Sequence, residues 1–374
     1  MRKILIISSI QTPPIQAGNQ KCIYEYSEML KQMGFDVYFL YIKGRQKINQ
    51  QLTQYWGNKL FVFERKWIPD IIKRGFIEIR KKITNYNHVD DFYPIGLTSF
   101  VKKIQKEYHF DNIIINYITL SKLFKANLSC KKILYAHDCL SFKKKRLNIK
   151  KFWIDLTPNQ EALGLQRCPN ILSIQENETI FFKYLHPTGN ILSVYSNFQI
   201  HKPIITGNKN ILFLSGKSIL NINGIKYFIH DIFPLILEKE PHTQLIIGGS
   251  ICDVLKEFDT PNIKMIGRID DENNFYALGD ICINPIYQGT GLKIKTFEAL
   301  SYGKTTIVHP HSAEGIFLPK DAPILIGNTP QEFALHIIKA LSNIEMRYSY
   351  SNKAISYIQT LNEYIKQQYL KILE

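Results

Sequence analysis

Residues 280–308 constrain the fold of this chain more than any other stretch. Asp280-Ile-Cys-Ile-Asn284 is an apolar run of strand length, and Thr305-Thr-Ile-Val308 is a β-branched run of the same kind. Between them, Leu292–Tyr302 holds good helix formers and no breaker, with Gly303 where a C-terminal cap belongs. The unit therefore reads strand, glycine loop, helix, glycine, strand. Gly289-Thr290-Gly291 puts small residues where the backbone must turn sharply and admit something close. The helix start offers unpaired N–H groups and the positive end of its dipole, which suits an anion. Lys293 and Lys295 add cations in the first turn, where the dipole alone disfavours them, and such local conflicts are often functional. Glu298 follows roughly 10 Å from Thr290, at about 1.5 Å per residue. A nucleotide diphosphate along this helix would set its phosphates at the amino end and its ribose hydroxyls at Glu298, whose carboxylate accepts two hydrogen bonds. The same residues also suit an ordinary βαβ turn with solvated lysines and a surface glutamate.

At 374 residues the chain has room for two domains, and 45% hydrophobic residues is the share of a globular protein. No apolar run approaches the roughly 18 residues that cross a bilayer. Met1–Ile10 resembles a short signal peptide, but Pro13-Pro14 follows in place of a cleavage pattern, so a buried first strand is expected. The six cysteines include no C-x-x-C pair and are expected as free thiols in a reducing compartment. The net charge of +15 is uneven: residues 1–200 carry 30 Lys+Arg against 15 Asp+Glu, and residues 201–374 carry 17 against 17. Much of the excess sits in Lys73–Lys82 and Lys143–Lys151. These clusters lack spaced aromatics and any helix-turn-helix, zinc or RNA-binding signature, so nucleic acid is not expected. They fit a solvated face, an anionic membrane surface or an acceptor on a diphosphate lipid.

Taken in order, Lys3–Ser9 reads as a strand, Pro13–Asn19 as a loop, Ile23–Met33 as a helix and Asp36–Ile42 as a second strand. This opening is a doubly wound unit without G-x-G-x-x-G, so no dinucleotide cofactor is expected. Residues 45–110 mix aromatics (Tyr55-Trp56, Phe61-Val-Phe63, Trp67-Ile68, Phe92-Tyr93) with the first basic cluster at helical or irregular spacing. Their aromatics are read as core and their charges as solvent-facing. Strand character returns at 112–117 and 132–135, the latter ending in His137-Asp138 at a strand's carboxyl edge. A helix is expected over 155–167, a strand over 171–174, then Gln175–Glu178 with Asn177 or Thr179 as caps. Residues 196–209 read as a linker. Strand 210–214 then leads to Gly216-Lys217-Ser218 and a helix running to Glu240. Two more strand ends carry glycine, at Gly248-Gly249 and Gly267-Arg268. His309-Pro-His311 invites a metal, but no partner has recognisable spacing, so no metal site is assigned. From 330 to 374 the pattern is helical.

Gly289-Thr-Gly-Leu-Lys-Ile-Lys-Thr-Phe-Glu-Ala-Leu-Ser-Tyr-Gly303 resembles the donor-site signature of group 1 glycosyltransferases, family 4 of the GT-B fold, in its G-x-G-x-K-x-K-x-x-E-A-L branch. Many members carry a glutamate at the first motif position, where this chain has Thr290. The resemblance implies an α/β protein of two Rossmann-like, doubly wound parallel-sheet domains facing a cleft. Residues 1–198 would form the acceptor-side domain and 199–345 the donor domain, with 346–374 adding helices, the last crossing back. It implies donor contacts from Gly18, Asn19, Gly216, Arg268, Gly289, Thr290, Gly291, Leu292, Lys293, Lys295 and Glu298. It gives His137 a place near the transferred sugar, with Asp138 orienting the ring or capping the next segment, and sets Lys217 on the phosphates. The implied function is sugar transfer from a nucleotide sugar to a saccharide or lipid-linked saccharide, with retention, no cofactor and no metal requirement. Surface polysaccharide or glycoconjugate synthesis on the cytoplasmic side would be its setting, with a hexosyltransferase activity. The other class considered is a non-catalytic nucleotide-sugar binding or scaffold protein at a membrane face.

Overall fold

The computed structural model describes residues 1–15, 18–65 and 67–374, with 67–71 as backbone only. Two compact units divide the chain: Met1–Asn197 with Tyr364–Glu374, and Phe198–Glu363.

In the first unit, seven strands form one parallel sheet: β1 Lys3–Ser8, β2 Asp36–Lys43, β3 Leu60–Glu64, β4 Asn112–Asn116, β5 Lys131–Ala136, β6 Asn170–Ser173 and β7 Asn190–Ser193. Their order is β3-β2-β1-β4-β5-β6-β7. Strands covered on both faces read as continuous apolar runs, and Ile4, Leu5, Ile6 and Ile7 of β1 are all 0% exposed. Chain order reverses between β1 and β4, paired from Ile4↔Asn112 to Ile7↔Ile115, so Ser8 and Asn116 stand at the switch point where doubly wound sheets bind ligands.

Several expectations shift here. Phe61-Val-Phe63 is not helical or irregular: it lies in edge strand β3, paired with Phe39–Lys43 of β2. An edge strand buries less, so its pattern is blurred in sequence. The first helix spans Gly18–Gln32 and begins before Ile23, because the polar turn Gly18–Lys21 adds nothing to apolar periodicity. Of the expected Pro13–Asn19 loop, Gln16 and Ala17 lie outside the described residues, as do the side chains of Trp67 and Ile68. Trp56 is core, stacked on Phe39 at 4.9 Å, and Tyr93 is buried, but Phe76 is 71% exposed. The helix Glu176–Leu185 starts after Gln175 with no side-chain cap, so neither Asn177 nor Thr179 serves as one.

The second basic cluster is not a uniform solvated face. Lys143 is 2% exposed and its ammonium donates to Asp138, while Lys144 pairs with Asp155 at 3.4 Å. Arg146 donates to the Ser141 carbonyl at 3.0 Å, while Lys145 is exposed. Lys73 of the first cluster donates to the carbonyls of Asp90 (3.0 Å) and Tyr93 (2.7 Å), and Arg80 pairs with Asp91.

The second unit has a six-stranded parallel sheet of β8 Asn210–Leu214, β9 Gln244–Gly248, β10 Ile263–Gly267, β11 Ile281–Asn284, β12 Thr305–Val308 and β13 Ile324–Ile326. Its order is β10-β9-β8-β11-β12-β13, with the reversal between β8 and β11. The helix expected to run to Glu240 starts at Ile219, passes through a π turn at Phe228–Ile232 and ends at Leu237. Buried Asp280, at the head of β11, accepts Thr206 N–H (2.7 Å), Gly207 N–H (2.8 Å) and Arg347 Nη1 (2.8 Å). The expected linker is thereby fastened at its carboxyl end, and a buried charge so fully paired escapes the penalty of an orphaned one. The helix Ile344–Leu373 runs to the carboxyl terminus, and within the first unit its Tyr369 stacks on Tyr26 at 6.1 Å. Among the described residues, no helix is long and apolar enough to cross a membrane.

Candidate functional site

In the second unit the reversal point places two loops side by side. Ser215-Gly216-Lys217 leaves β8, and the glycine loop leaves β11, the strand paired with β8 through Ile281↔Ile211 and Cys282↔Leu212. Gly289 and Gly291 take φ values of +140° and +75°, in the region that favours glycine. The helix is shorter than expected, spanning Ile294–Ser301. Lys293 is therefore its N-cap residue, not part of its first turn, and no side chain caps that end. Asn284, the last residue of β11, donates to Thr296 Oγ1 at 2.9 Å and so fixes the helix start against the strand end.

Three lysines reach this place by different routes. Lys217 is half-exposed; its backbone N–H donates to Ser250 Oγ (3.3 Å) and its ammonium pairs with Asp253 (3.2 Å). Gly249 makes that arrangement possible, since a Cβ there would sit 2.2 Å from the Ser215 carbonyl. Lys293 Nζ lies 3.4 Å from His311 Nε2. Lys295 donates to Asn221 Oδ1 at 3.0 Å, and Asn221 Nδ2 donates to the Gly216 carbonyl at 2.8 Å. Thus Lys295 is tied to the loop that carries Lys217. Burial pushes the Lys295 ammonium down to about 8, against the opposing pull of Glu298. Glu298 is 8% exposed and is no surface carboxylate.

Arg268 is exposed at the end of edge strand β10, and Thr290 and Leu292 are half-buried in the glycine loop. His309 and His311 serve one another and their neighbours: His309 Nδ1 accepts His311 N–H at 3.1 Å, and His311 Nδ1 lies 3.1 Å from Glu314. Among the described residues, no three His, Cys, Asp or Glu side chains are grouped to hold a metal ion.

In the first unit, His137 follows β5 and is 6% exposed. Its Nε2 lies 2.6 Å from Asn116 Oδ1, and its ring stacks on Tyr135 at 4.1 Å. Asn116 Nδ2 donates to the Ile7 carbonyl (3.1 Å), so Oδ1 is the acceptor and Nε2 carries the proton. Burial pushes the imidazole pKa down to about 3, which keeps the ring neutral. Its N–H is thus turned onto Asn116. Asp138 does not orient the ring; its carboxylate accepts from Lys143. Gly18 and Asn19 open the helix after β1 and are exposed.

Residues 208–343 match the family model described as glycosyl transferases group 1. The matched stretch falls within the second unit and holds every lysine of the site just described. Across 96% of its length the whole chain is 24% identical to an uncharacterized 44.6 kDa protein in the cps region of Klebsiella pneumoniae, 96% of which is covered. Its fold is similar to that of an S. aureus TarM variant in complex with Fondaparinux, alpha-GlcNAc-glycerol and UDP, with TM-score 0.70, 9% identity and full coverage of both chains. It is also similar to Anabaena HepE in complex with UDP-glucose, with TM-score 0.64, 13% identity, and coverage of 99% of this chain and 100% of that one. Such identities speak to fold alone. The fold is two-domain α/β of the GT-B kind.

Around the second unit's lysines, sequence reasoning missed Asn221, Ser250, Asp253 and His311 as partners. In the first unit it missed Asn116 as the partner of His137. A polar residue in the first turn after Gly216 was the signal for Asn221. Nothing local pointed to Asp253 or Asn116, which meet their partners across 36 and 21 residues.

Proposed function

We propose that this protein transfers a hexose from a nucleoside diphosphate donor to a saccharide or lipid-linked saccharide acceptor, with retention, as a member of the G-x-G-x-K-x-K branch of family 4. The observation that carries this is the convergence of Gly216-Lys217, the uncapped helix start at Lys293 and the Asn221-tethered Lys295 on one strand-order reversal. Such an array is built for a diphosphate. The solved proteins of similar fold that hold UDP or UDP-glucose, and the relative in a cps region, support a nucleotide sugar and a role in surface polysaccharide synthesis.

In this reading Gly289, Thr290, Gly291 and Leu292 wrap the diphosphate. Lys217, Lys293 and Lys295 balance its charge, and Glu298 accepts the ribose hydroxyls. Gly216 and Arg268 line the donor on the neighbouring strand ends. The bond from the anomeric carbon to the diphosphate oxygen breaks and its electron pair leaves with the diphosphate. The acceptor hydroxyl oxygen forms the new bond on the same face, and its proton passes to a leaving-group oxygen. Preorganised cations at the developing charge lower that barrier, and no protein nucleophile is needed. The lysines do the work a divalent ion does elsewhere, so activity should survive a chelator. His137, held neutral on Asn116, acts here as a positioning residue for the strand ends of the first unit.

A panel of nucleotide sugars read by thermal shift should single out one donor, since a specific ligand raises the melting point by mass action. With that donor, Lys217→Ala and Lys293→Ala should lower turnover more than they weaken binding of the free nucleoside. Turnover equal to wild type in both variants would overturn the phosphate assignment. Donor binding without transfer or hydrolysis, with any acceptor fraction, would leave a binding protein instead.

A further inference from the structure

The helix Trp67–Thr84 leaves an apolar stripe uncovered. Ile72, Phe76, Ile79 and Ile83 recur at spacings of four, three and four, which at about 100° per residue places them within roughly 60° of arc. They are 58%, 71%, 61% and 79% exposed, whereas the isoleucines of β1 and β4 are wholly buried. Half-buried Lys73, Ile77 and Arg80 lie to one side of the stripe, the two cations held on the Asp90–Tyr93 segment, so the helix packs through that flank and leaves the stripe exposed. Ile95, 42% exposed, lines one groove with Ile72 and Phe76 and widens the apolar patch. Soluble surfaces seldom leave so many large apolar side chains contiguous without a use.

Charge says what kind of surface would cover them. From Ile72 to Thr84 the helix carries five cations and one acid, Glu78. Its end also meets the second basic cluster: Lys144 Nζ donates to the Asn85 carbonyl at 3.3 Å, and Tyr86 meets Phe142 edge-on at 5.7 Å. The end of the stripe with its exposed Lys82 thereby adjoins the segment that carries exposed Lys145, Lys150 and Lys151. Two copies pairing through this face would bring like charges together. Aliphatic side chains give nucleic-acid bases nothing to stack on. An amphipathic helix with aliphatic and phenyl groups on one face and Lys and Arg beside them instead fits the headgroup boundary of an anionic bilayer.

We propose that this stripe is an interfacial anchor: Ile72, Phe76, Ile79 and Ile83 enter the headgroup region of an anionic phospholipid membrane, and Lys82 with Lys145, Lys150 and Lys151 pair with lipid phosphates. The inference goes beyond the transferase reading and fails separately from it, because donor binding in solution does not require the stripe.

Sedimentation of the full chain with phosphatidylglycerol–phosphatidylcholine vesicles tests it, with pure phosphatidylcholine as control. Wild type should bind the anionic vesicles and release as salt rises, since screening acts over about 8 Å at physiological ionic strength. Phe76→Ser with Ile79→Ser should weaken binding at least tenfold, and each cation neutralised among Lys82, Lys145, Lys150 and Lys151 roughly fivefold. Nucleotide-sugar thermal shifts should stay as in wild type in every variant, which certifies the fold. Ile79→Trp should shift its fluorescence to the blue only with anionic vesicles. No binding by wild type at low salt would overturn the proposal. So would undiminished binding by the double serine variant, or a wild-type dimer that this variant converts to monomer.

Discussion

The Nζ of Lys295 stands 3.0 Å from Oδ1 of Asn221, so the helix after the glycine loop is tethered to the helix after Gly216. Asn221 in turn holds the Gly216 carbonyl at 2.8 Å. One amide thereby sets the spacing between two loops that reach the reversal point from strands 66 residues apart in sequence (Leu214 and Ile281 bound the gap of 215–280).

Asn221→Ala should therefore weaken nucleoside diphosphate binding by about 1–2 kcal/mol, the scale of a hydrogen bond to a charged group. Affinity for the uncharged nucleoside should change little. Calorimetric titration with both ligands checks this. An equal loss for both would mean that Asn221 shapes the base pocket and not the phosphate site.

Glu298→Gln should cost the donor about 1–3 kcal/mol of affinity while the fold stays intact. A glutamine keeps the shape but loses the charge that strengthens acceptance from two hydroxyls. The 2′-deoxy nucleotide should discriminate less between wild type and variant than the ribonucleotide does. If the two nucleotides respond alike, Glu298 is not on the ribose.

With a diphosphate seated at Lys295, donor binding should depend on pH. Its folded pKa is depressed to about 8 by burial, so above that pH the amine in the free protein is neutral. A bound diphosphate favours the ammonium, and binding then takes up a proton. Affinity should fall as pH rises past about 8, by up to about tenfold per unit. Titrations near pH 8.5 in buffers of different ionisation heat should report the proton uptake, and Lys295→Met should abolish it.

His137 links stability to acid. Its pKa falls from 6.5 unfolded to about 3 folded, because burial disfavours the imidazolium. The unfolded chain therefore binds the proton first. The contribution is full above pH 6.5 and is lost as pH falls from 6.5 toward 3, at no more than about 1.4 kcal/mol per unit. Denaturant melts of wild type and His137→Asn between pH 7 and 4 should diverge at the top and converge toward the bottom. Parallel curves would mean that His137 titrates normally.

Much of the fold is legible in the sequence, because which side of a strand or helix is buried is written in local periodicity. β1, β8 and β12 stand where their apolar runs predict, and the strand–glycine loop–helix–strand unit over 280–308 is present with its helix two residues shorter at the start. Short or edge strands left too little pattern: β3 was obscured by its half-exposed aromatics, and β7 and β13 are only four and three residues long. The charges misled for a different reason. Lys143 and Lys145 stand two residues apart in a run of like residues, yet Lys143 is buried against Asp138 while Lys145 is exposed. The sequence also named Lys217, Lys293, Lys295, Glu298 and His137 as residues of chemical interest. Only the tertiary structure decided what each one touches. Asn221 on Lys295 and Asn116 on His137 are pairings across 74 and 21 residues. Contacts of that range come from strand order and register, which no local pattern of side chains records.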